Sequence, residues 1–439
     1  MNETWINQLT ATIQQKENIL LTGLAGSART YLIYTLARNL NRKTLCLVST
    51  EEKAYDLAKE LKAFLPSDRI LLFLGRDLVF LKDNYSRVEE ERVLTLRDCM
   101  LRPRHNSLII ATPASFLFPL KSVQQMERET IHLQINQEWP LRSLLEKLVH
   151  SGYQRADTIT RPGEFAVRGG LLDVFPVGDK NPCRIDLFGD NIDSLRRFQV
   201  ETQRSTGSEQ QLTIIPADEL YGDQLDSTLF DYFPADGWVF YDEPREFIKQ
   251  YERARKRYQA AIREARREEK VVHELKTLTQ ERLIEAIRSR SLLYHSYFPG
   301  NIPQAQVRLL EHVSQKEMEP FFGQLSVLYS RIQDWQARGY RVYIMARGRA
   351  AREQLHKELV EQHISGVEVL NGSLEKGFVS ATMQVALISE QDIWGKKTTR
   401  TTRRRREREE RLLVEDLKLG DYVVHENYGV GIFRGVTRV

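Results

Sequence analysis

Residues 161–206 hold a run of short apolar segments cut by turn residues, and few architectures accommodate that pattern. FAVRG, LLDVFP and CRIDLFG are separated by Gly169-Gly170, by the stretch from Pro176 to Pro182, and by Gly189-Asp190-Asn191. Turn chemistry between runs of this length predicts three or four antiparallel strands joined as a meander. Side chains alternate across a strand, so Cys183, Ile185 and Leu187 fall on one face and Arg184, Asp186 and Phe188 on the other. A large aromatic beside an arginine on the polar face is either an anchor for a protein partner or the underside of a second layer. The first reading is preferred, and neither Arg184 nor Phe188 is then expected in a core.

Strands and helices alternate over the first 120 residues. ENILLTG leads into a helix from about Arg29 to Leu40, KTLCLVST precedes EEKAYDLAKELKAFL, RILLFLG follows, and a helix near 88–102 precedes SLIIATPASFLF. Continuous apolar strands between amphipathic helices predict a buried, mainly parallel sheet. At the first strand-to-helix turn, Gly23 to Thr30 has the position and length of a G-x-x-x-x-G-K-[ST] phosphate loop. Two defining residues differ. Ala28 stands where glycine lets the backbone approach phosphates, and Arg29 replaces the lysine that reaches between them. Thr30 remains as a lone magnesium-ligand candidate, so no nucleotide or metal is expected here. Val239 to Pro244 ends in Asp242-Glu243 like the acidic motif that positions magnesium in ATPases; without a working loop it is expected to end a strand and cap the helix after Pro244.

Farther along, Phe247, Tyr251, Tyr258 and Ile262 recur at helical spacing in a charge-dense segment, predicting a long helix with one stripe on a core. A second α/β unit follows, in which Arg347 and Arg349 read as surface residues of a structural spacer. The net charge of +4 is unevenly placed: residues 396–411 hold nine basic and three acidic side chains, a net +6, leaving −2 for the rest. Extensive DNA binding by the folded part is therefore disfavoured, and this exposed linker is either a solvated connection without a ligand or the source of weak nonspecific phosphate contact through Arg403, Arg404, Arg405 and Arg406. Cys46, Cys99 and Cys183 lie far apart and read as buried small hydrophobes. No apolar run of membrane-spanning length and no export leader is seen, which makes the cytoplasm the expected location.

GEFAVRGG, DVFP, RIDLFGD, SLRRF, ETQRS and then IIPADEL follow one another in an order that resembles the inserted domain shared by the excision-repair protein UvrB and the bacterial transcription-repair coupling factors, through which both bind UvrA. The resemblance implies that Arg168, Arg184 and Phe188 contact UvrA. It favours the coupling factors over UvrB, because the segment GRDLVFLKDNYSRVEEER offers only Tyr85 where UvrB has a tyrosine-rich damage-probing hairpin. The tail VEDLKLGDYVVHENYGVGIFRGVTRV resembles the start of the RNA-polymerase-interacting domain, a small barrel shared with CarD-like regulators; it implies the polymerase β subunit as a partner, weakly because the barrel is incomplete, and leaves His425 as a strand histidine.

The implied fold is α/β. A degenerate RecA-like, P-loop-type parallel-sheet domain (1–115 and 213–305) is interrupted by an inserted α+β UvrA-binding domain (116–212). A small α/β domain (306–393), a basic linker (394–412) and the truncated barrel (413–439) follow. The implied function is an adaptor that recruits UvrA to stalled polymerase in transcription-coupled nucleotide excision repair. No catalytic residue and no cofactor are expected in this chain, since ATP and magnesium belong to a translocase motor that the sequence does not contain. A UvrB-like ATPase and a CarD-like regulator are the rival readings.

Overall fold

The computed structural model describes residues 3–76, 87–220, 225–268, 275–298, 302, 307–395, 422–425 and 429–432. Strands β1 (Asn18–Thr22), β2 (Thr44–Leu47), β3 (Ile70–Phe73) and β4 (Leu108–Ala111) come from the first stretch of chain. Next come the strands of the insertion: β5 (Ile131–Gln134), β6 (Gln154–Arg155), β7 (Glu164–Arg168), β8 (Leu171–Val174), β9 (Cys183–Phe188), β10 (Asn191–Phe198), β11 (Ser205–Glu209) and β12 (Gln211–Ile214). The chain then returns with β13 (Trp238–Asp242), β14 (Ser291–Ser296) and β15 (Val307–His312).

β1 to β4 and β13 to β15 form one seven-stranded sheet in the order β15-β1-β14-β13-β2-β4-β3, parallel at every pairing. The central strands β2 and β4 are buried along their whole length, as expected where helices cover both faces, while the edge strand β15 alternates. Alternation splits their side chains between two cores, with Cys46, Ile110, Phe240 and Leu293 in one and Leu45, Ile109, Tyr241 and Leu292 in the other. The helix Pro244–Arg267 buries Phe247, Tyr251, Tyr258 and Ile262, the stripe read from its spacing. All three cysteines are buried and free. No helix among the described residues is long and apolar enough to cross a membrane.

Three expected boundaries move, one of them the end of the insertion, which runs past residue 212 because Ile214, Ile215 and Ala217 share its core. Phe116, Leu117, Phe118, Leu120 and Met126 pack in the core of the parallel sheet, so the insertion begins near β5 and not at residue 116. β15 pairs with β1 at the edge of that sheet, so the following α/β unit begins after His312 and not at residue 306. That unit has strands β16 (Gln315–Glu317), β17 (Arg341–Ala346), β18 (Val367–Asn371), β19 (Phe378–Ser380) and β20 (Val385–Ser389) in one mixed sheet, ordered β16-β19-β20-β17-β18. It is more than a spacer. Met345, Phe378, Val385 and Leu387 join one core of the parallel sheet, and the Tyr31 ring lies 5.9 Å from Tyr343 and 5.8 Å from Phe378, centroid to centroid. As expected, Arg349 is a surface residue, ion-paired with Glu353 one helical turn on.

The insertion is a six-stranded sheet in the order β11-β10-β9-β8-β7-β6, antiparallel from β7 to β11, beside the small β5-β12 pair. Leu144 and Leu148 of the helix Leu141–His150 close its core over Phe165, Leu172, Cys183, Ile185 and Leu195. Two ion pairs tie the junction down: Arg92 to Glu219 at 2.6 Å and Arg76 to Asp218 at 2.9 Å. Near the carboxy end, β21 (Tyr422–His425) and β22 (Gly429–Ile432) form an antiparallel hairpin. The rest of the expected barrel segment, the linker with Arg403 to Arg406, and Tyr85 lie outside the described residues.

Candidate functional site

Two-residue turns at Gly169-Gly170 and Gly189-Asp190 bring the ends of β7, β8, β9 and β10 together along one edge of the inserted domain. Glycine is required at 170, where a Cβ would stand 2.7 Å from the Leu187 carbonyl oxygen. Register then aligns Arg168, Leu171 and Asp186 across three strands, with Phe188 two residues beyond Asp186 on the same face. Phe188 is 84% exposed, so no second layer among the described residues covers it. Leu171 beside it is partly exposed, and the two border a shallow cleft of about 290 Å³ with Gly170, Asp186, Leu187 and Asp193. Arg168 is exposed and donates from Nη2 to the Asp157 carbonyl (3.0 Å) and the Thr158 hydroxyl (2.8 Å), which fixes its guanidinium at the rim.

Arg184 shares that face but is not a free contact residue. Its Nε and Nη2 donate to the two carboxylate oxygens of Asp173, both at 2.7 Å, and its guanidinium lies 4.7 Å from the centroid of the buried Phe198 ring. The Asp173 hydrogen bonds raise its pKa against the opposing effect of burial. The expectation that Arg184 contributes little to folding is therefore corrected. Arg184→Ala strips a bidentate partner from the nearly buried Asp173 and uncovers Phe198, so thermal melting should show a loss of about 1–3 kcal/mol of stability. An unchanged melting curve would show that the pair contributes nothing. Asp173 and Phe198 were missed from sequence, although Asp173 stands two positions from Leu171 in the strand that β9 pairs with.

The loop after β1, where no ligand is expected, packs against other segments of the chain. Ala28 and Thr30 are fully buried, and Thr30 donates its hydroxyl hydrogen bond to Glu60. Arg29 Nη1 lies 2.9 Å from Asp242 Oδ2, while Asp242 Oδ1 accepts from His295 Nδ1 at 2.6 Å. Burial pushes the Asp242 carboxyl upward, but the His295 hydrogen bond and the charge of Arg29 outweigh it and hold the group below its ordinary range. From above, the Ser27 hydroxyl donates to the Lys376 carbonyl, Gln315 Nε2 reaches the Gly23 carbonyl at 3.4 Å, and a Cβ on Gly23 (φ +82°) would strike the His312 ring at 2.5 Å. The loop thus sits over an arginine–aspartate pair and against the segments that carry His312, Gln315 and Lys376. Asp242 does end its strand and Pro244 does open the helix, but Glu243 does not cap it: its carboxylate accepts from the Tyr297 amide.

The exposed aromatic edge thus lies on a small antiparallel sheet set into a parallel α/β domain. The UvrB interaction domain family matches residues 131–220, beginning at the first residue of β5, and the CarD-like/TRCF RID domain family matches residues 417–439. Over 95% of its length the chain is 23% identical to the transcription-repair-coupling factor of Bacillus subtilis (strain 168), covering 42% of that protein. It is 25% identical over 96% of its length to those of Staphylococcus epidermidis (strain ATCC 12228 / FDA PCI 1200) and Staphylococcus haemolyticus (strain JCSC1435), again covering 42% of each. Along nearly its whole length, then, the chain is similar to the amino-terminal part of the transcription-repair-coupling factors, and it spans about 42% of the length of the curated relatives it matches.

Proposed function

We propose that this chain is the adaptor part of a transcription-repair coupling factor, docking UvrA on the edge formed by Phe188, Leu171 and Arg168 of the inserted domain. The observation that carries this is the 84% exposure of Phe188 on a rigid hairpin, inside the segment matched by the UvrB interaction domain. An aromatic held out by backbone pairing loses little conformational freedom on binding, and the flanking arginine supplies a charge-assisted hydrogen-bond donor. Arg184 supports the edge from below by fixing Asp173. Surface plasmon resonance of this chain against UvrA tests the reading; absence of a complex would remove it. The match at 417–439 extends the proposal to RNA polymerase, with pull-down of the β subunit as its test.

No nucleotide chemistry is part of the proposal. The UvrB-like ATPase reading requires phosphate to enter the loop at 23–30, where Arg29 already neutralises Asp242 and Lys376 covers Ser27. Isothermal titration with ATP and magnesium should be silent for the chain as it stands. It should stay silent for Ala28→Gly combined with Arg29→Lys, because that change restores two loop residues while leaving His312, Gln315 and Lys376 in place. Measurable ATP binding by either protein would revive the ATPase reading.

A further inference from the structure

The helix Pro244–Arg267 carries charge that the chain average conceals. Its 24 residues include nine basic and three acidic side chains, a net +6 equal to that of residues 396–411. Since the whole chain is +4, everything outside these two segments must sum to −8. The charge is also sorted around the helix. At 3.6 residues per turn, the buried Phe247, Tyr251, Ala254, Tyr258, Ile262 and Ala265 occupy an arc of roughly 80°. Lys249, Arg253, Lys256, Arg257, Arg263 and Arg267, all exposed, occupy roughly 120° on the opposite side. Lys249 sits 3.6 Å from Glu246, but among the described residues Arg253, Lys256, Arg257, Arg263 and Arg267 have no ion-pair partner. Glu264 is the one exposed acid within the arc.

The shape of this row selects its partner. It runs roughly 27 Å from Lys249 to Arg267, most of one turn of duplex DNA, along which phosphate charge recurs about every 1.7 Å. Ala260 is the sole apolar residue on the arc. A protein partner would need an aromatic or large apolar anchor there, and single-stranded nucleic acid would need aromatic platforms for its bases. A row of cationic heads on flexible stems, with nothing between them, suits the phosphate backbone of a duplex. We propose that this face of the helix tracks duplex DNA without reading its sequence. The surface is separate from the UvrA-docking edge, and it replaces the expectation that any phosphate contact comes from the linker.

Fluorescence anisotropy of a duplex of about 30 base pairs, titrated with the full chain across a salt series, tests the proposal. About five phosphate contacts give a slope of log K against log salt near −4 to −5. The fourfold variant Arg253→Gln, Lys256→Gln, Arg257→Gln, Arg263→Gln keeps helix propensity and should melt like the parent. It should bind at least about 10-fold more weakly at 50 mM salt, with a slope shallower by about three to four. The linker variant Arg403→Gln, Arg404→Gln, Arg405→Gln, Arg406→Gln should retain most of the affinity. Three outcomes overturn the proposal: a helix variant indistinguishable from the parent, loss of binding in the linker variant alone, or no association at 50 mM salt. Polyglutamate competing charge for charge with the duplex would also overturn it, in favour of an acidic protein partner.

Discussion

Phe188→Ala should weaken the complex with UvrA by about 2 kcal/mol or more, roughly 30-fold in Kd, while leaving the melting curve of the chain in place. The two expectations have one structural origin. At 84% exposure the ring contributes no packing to the folded chain, so its loss leaves no cavity. The paired backbone of β9 and β10 nevertheless presents it in a fixed position, with Leu171 beside it and a turn glycine behind, so a partner that covers the ring gains its full apolar area. Arg168→Ala should cost less, since its guanidinium already has two acceptors within the domain and remains at a solvated rim. Surface plasmon resonance and circular dichroism melting on the same preparations separate binding from folding. Parent-like affinity in Phe188→Ala would remove this edge as the docking site.

Why Phe188 could be placed from sequence and Arg184 could not is a matter of which contacts a local pattern encodes. Period-two alternation puts Cys183 and Ile185 inside and Phe188 outside without knowledge of any neighbour, and the structure agrees. The role of Arg184 depends on which residue stands opposite, and that follows from the register between β8 and β9, set by the spacing of two turns. The loop after β1 shows the same division. Ala28 and Arg29 depart from the phosphate-loop pattern within the sequence itself, whereas His312, Gln315 and Lys376, which contact the loop, lie nearly 300 residues or more away and carry no motif. β15 was missed as a strand of the parallel sheet because it lies at an edge and alternates in burial, unlike the fully buried runs of β2 and β4. Charge is legible only in part for a different reason: a sum over the chain erases the sorting of the helix Pro244–Arg267, which emerges only when residues are placed around its axis.

Beside the loop after β1, Asp242→Ala should destabilise the parallel-sheet domain by about 3–5 kcal/mol, the usual cost of removing one member of a buried ion pair. Asp242 is fully buried and joins three elements: Arg29 in the first turn of the helix Gly26–Leu40, His295 on β14, and its own strand β13. Removing the carboxylate leaves the Arg29 guanidinium and the His295 imidazole facing a void, and each already has one buried nitrogen without a partner. Replacing both charges, as in Arg29→Met with Asp242→Leu, should cost less than the single change, because no uncompensated charge remains. The pH dependence has a definite sign. Asp242 titrates below its ordinary value of 3.8 when folded, so its contribution is complete above that value and is lost as pH falls through the lower folded one. The stability difference between the parent and Asp242→Ala should therefore be constant near neutrality and shrink only below about pH 4. Chemical denaturation of the two proteins between pH 3 and pH 7 measures it. Equal stability at pH 7 would mean that the ion pair beside this loop does not hold the fold together, and the reason for arginine at position 29 would have to lie elsewhere.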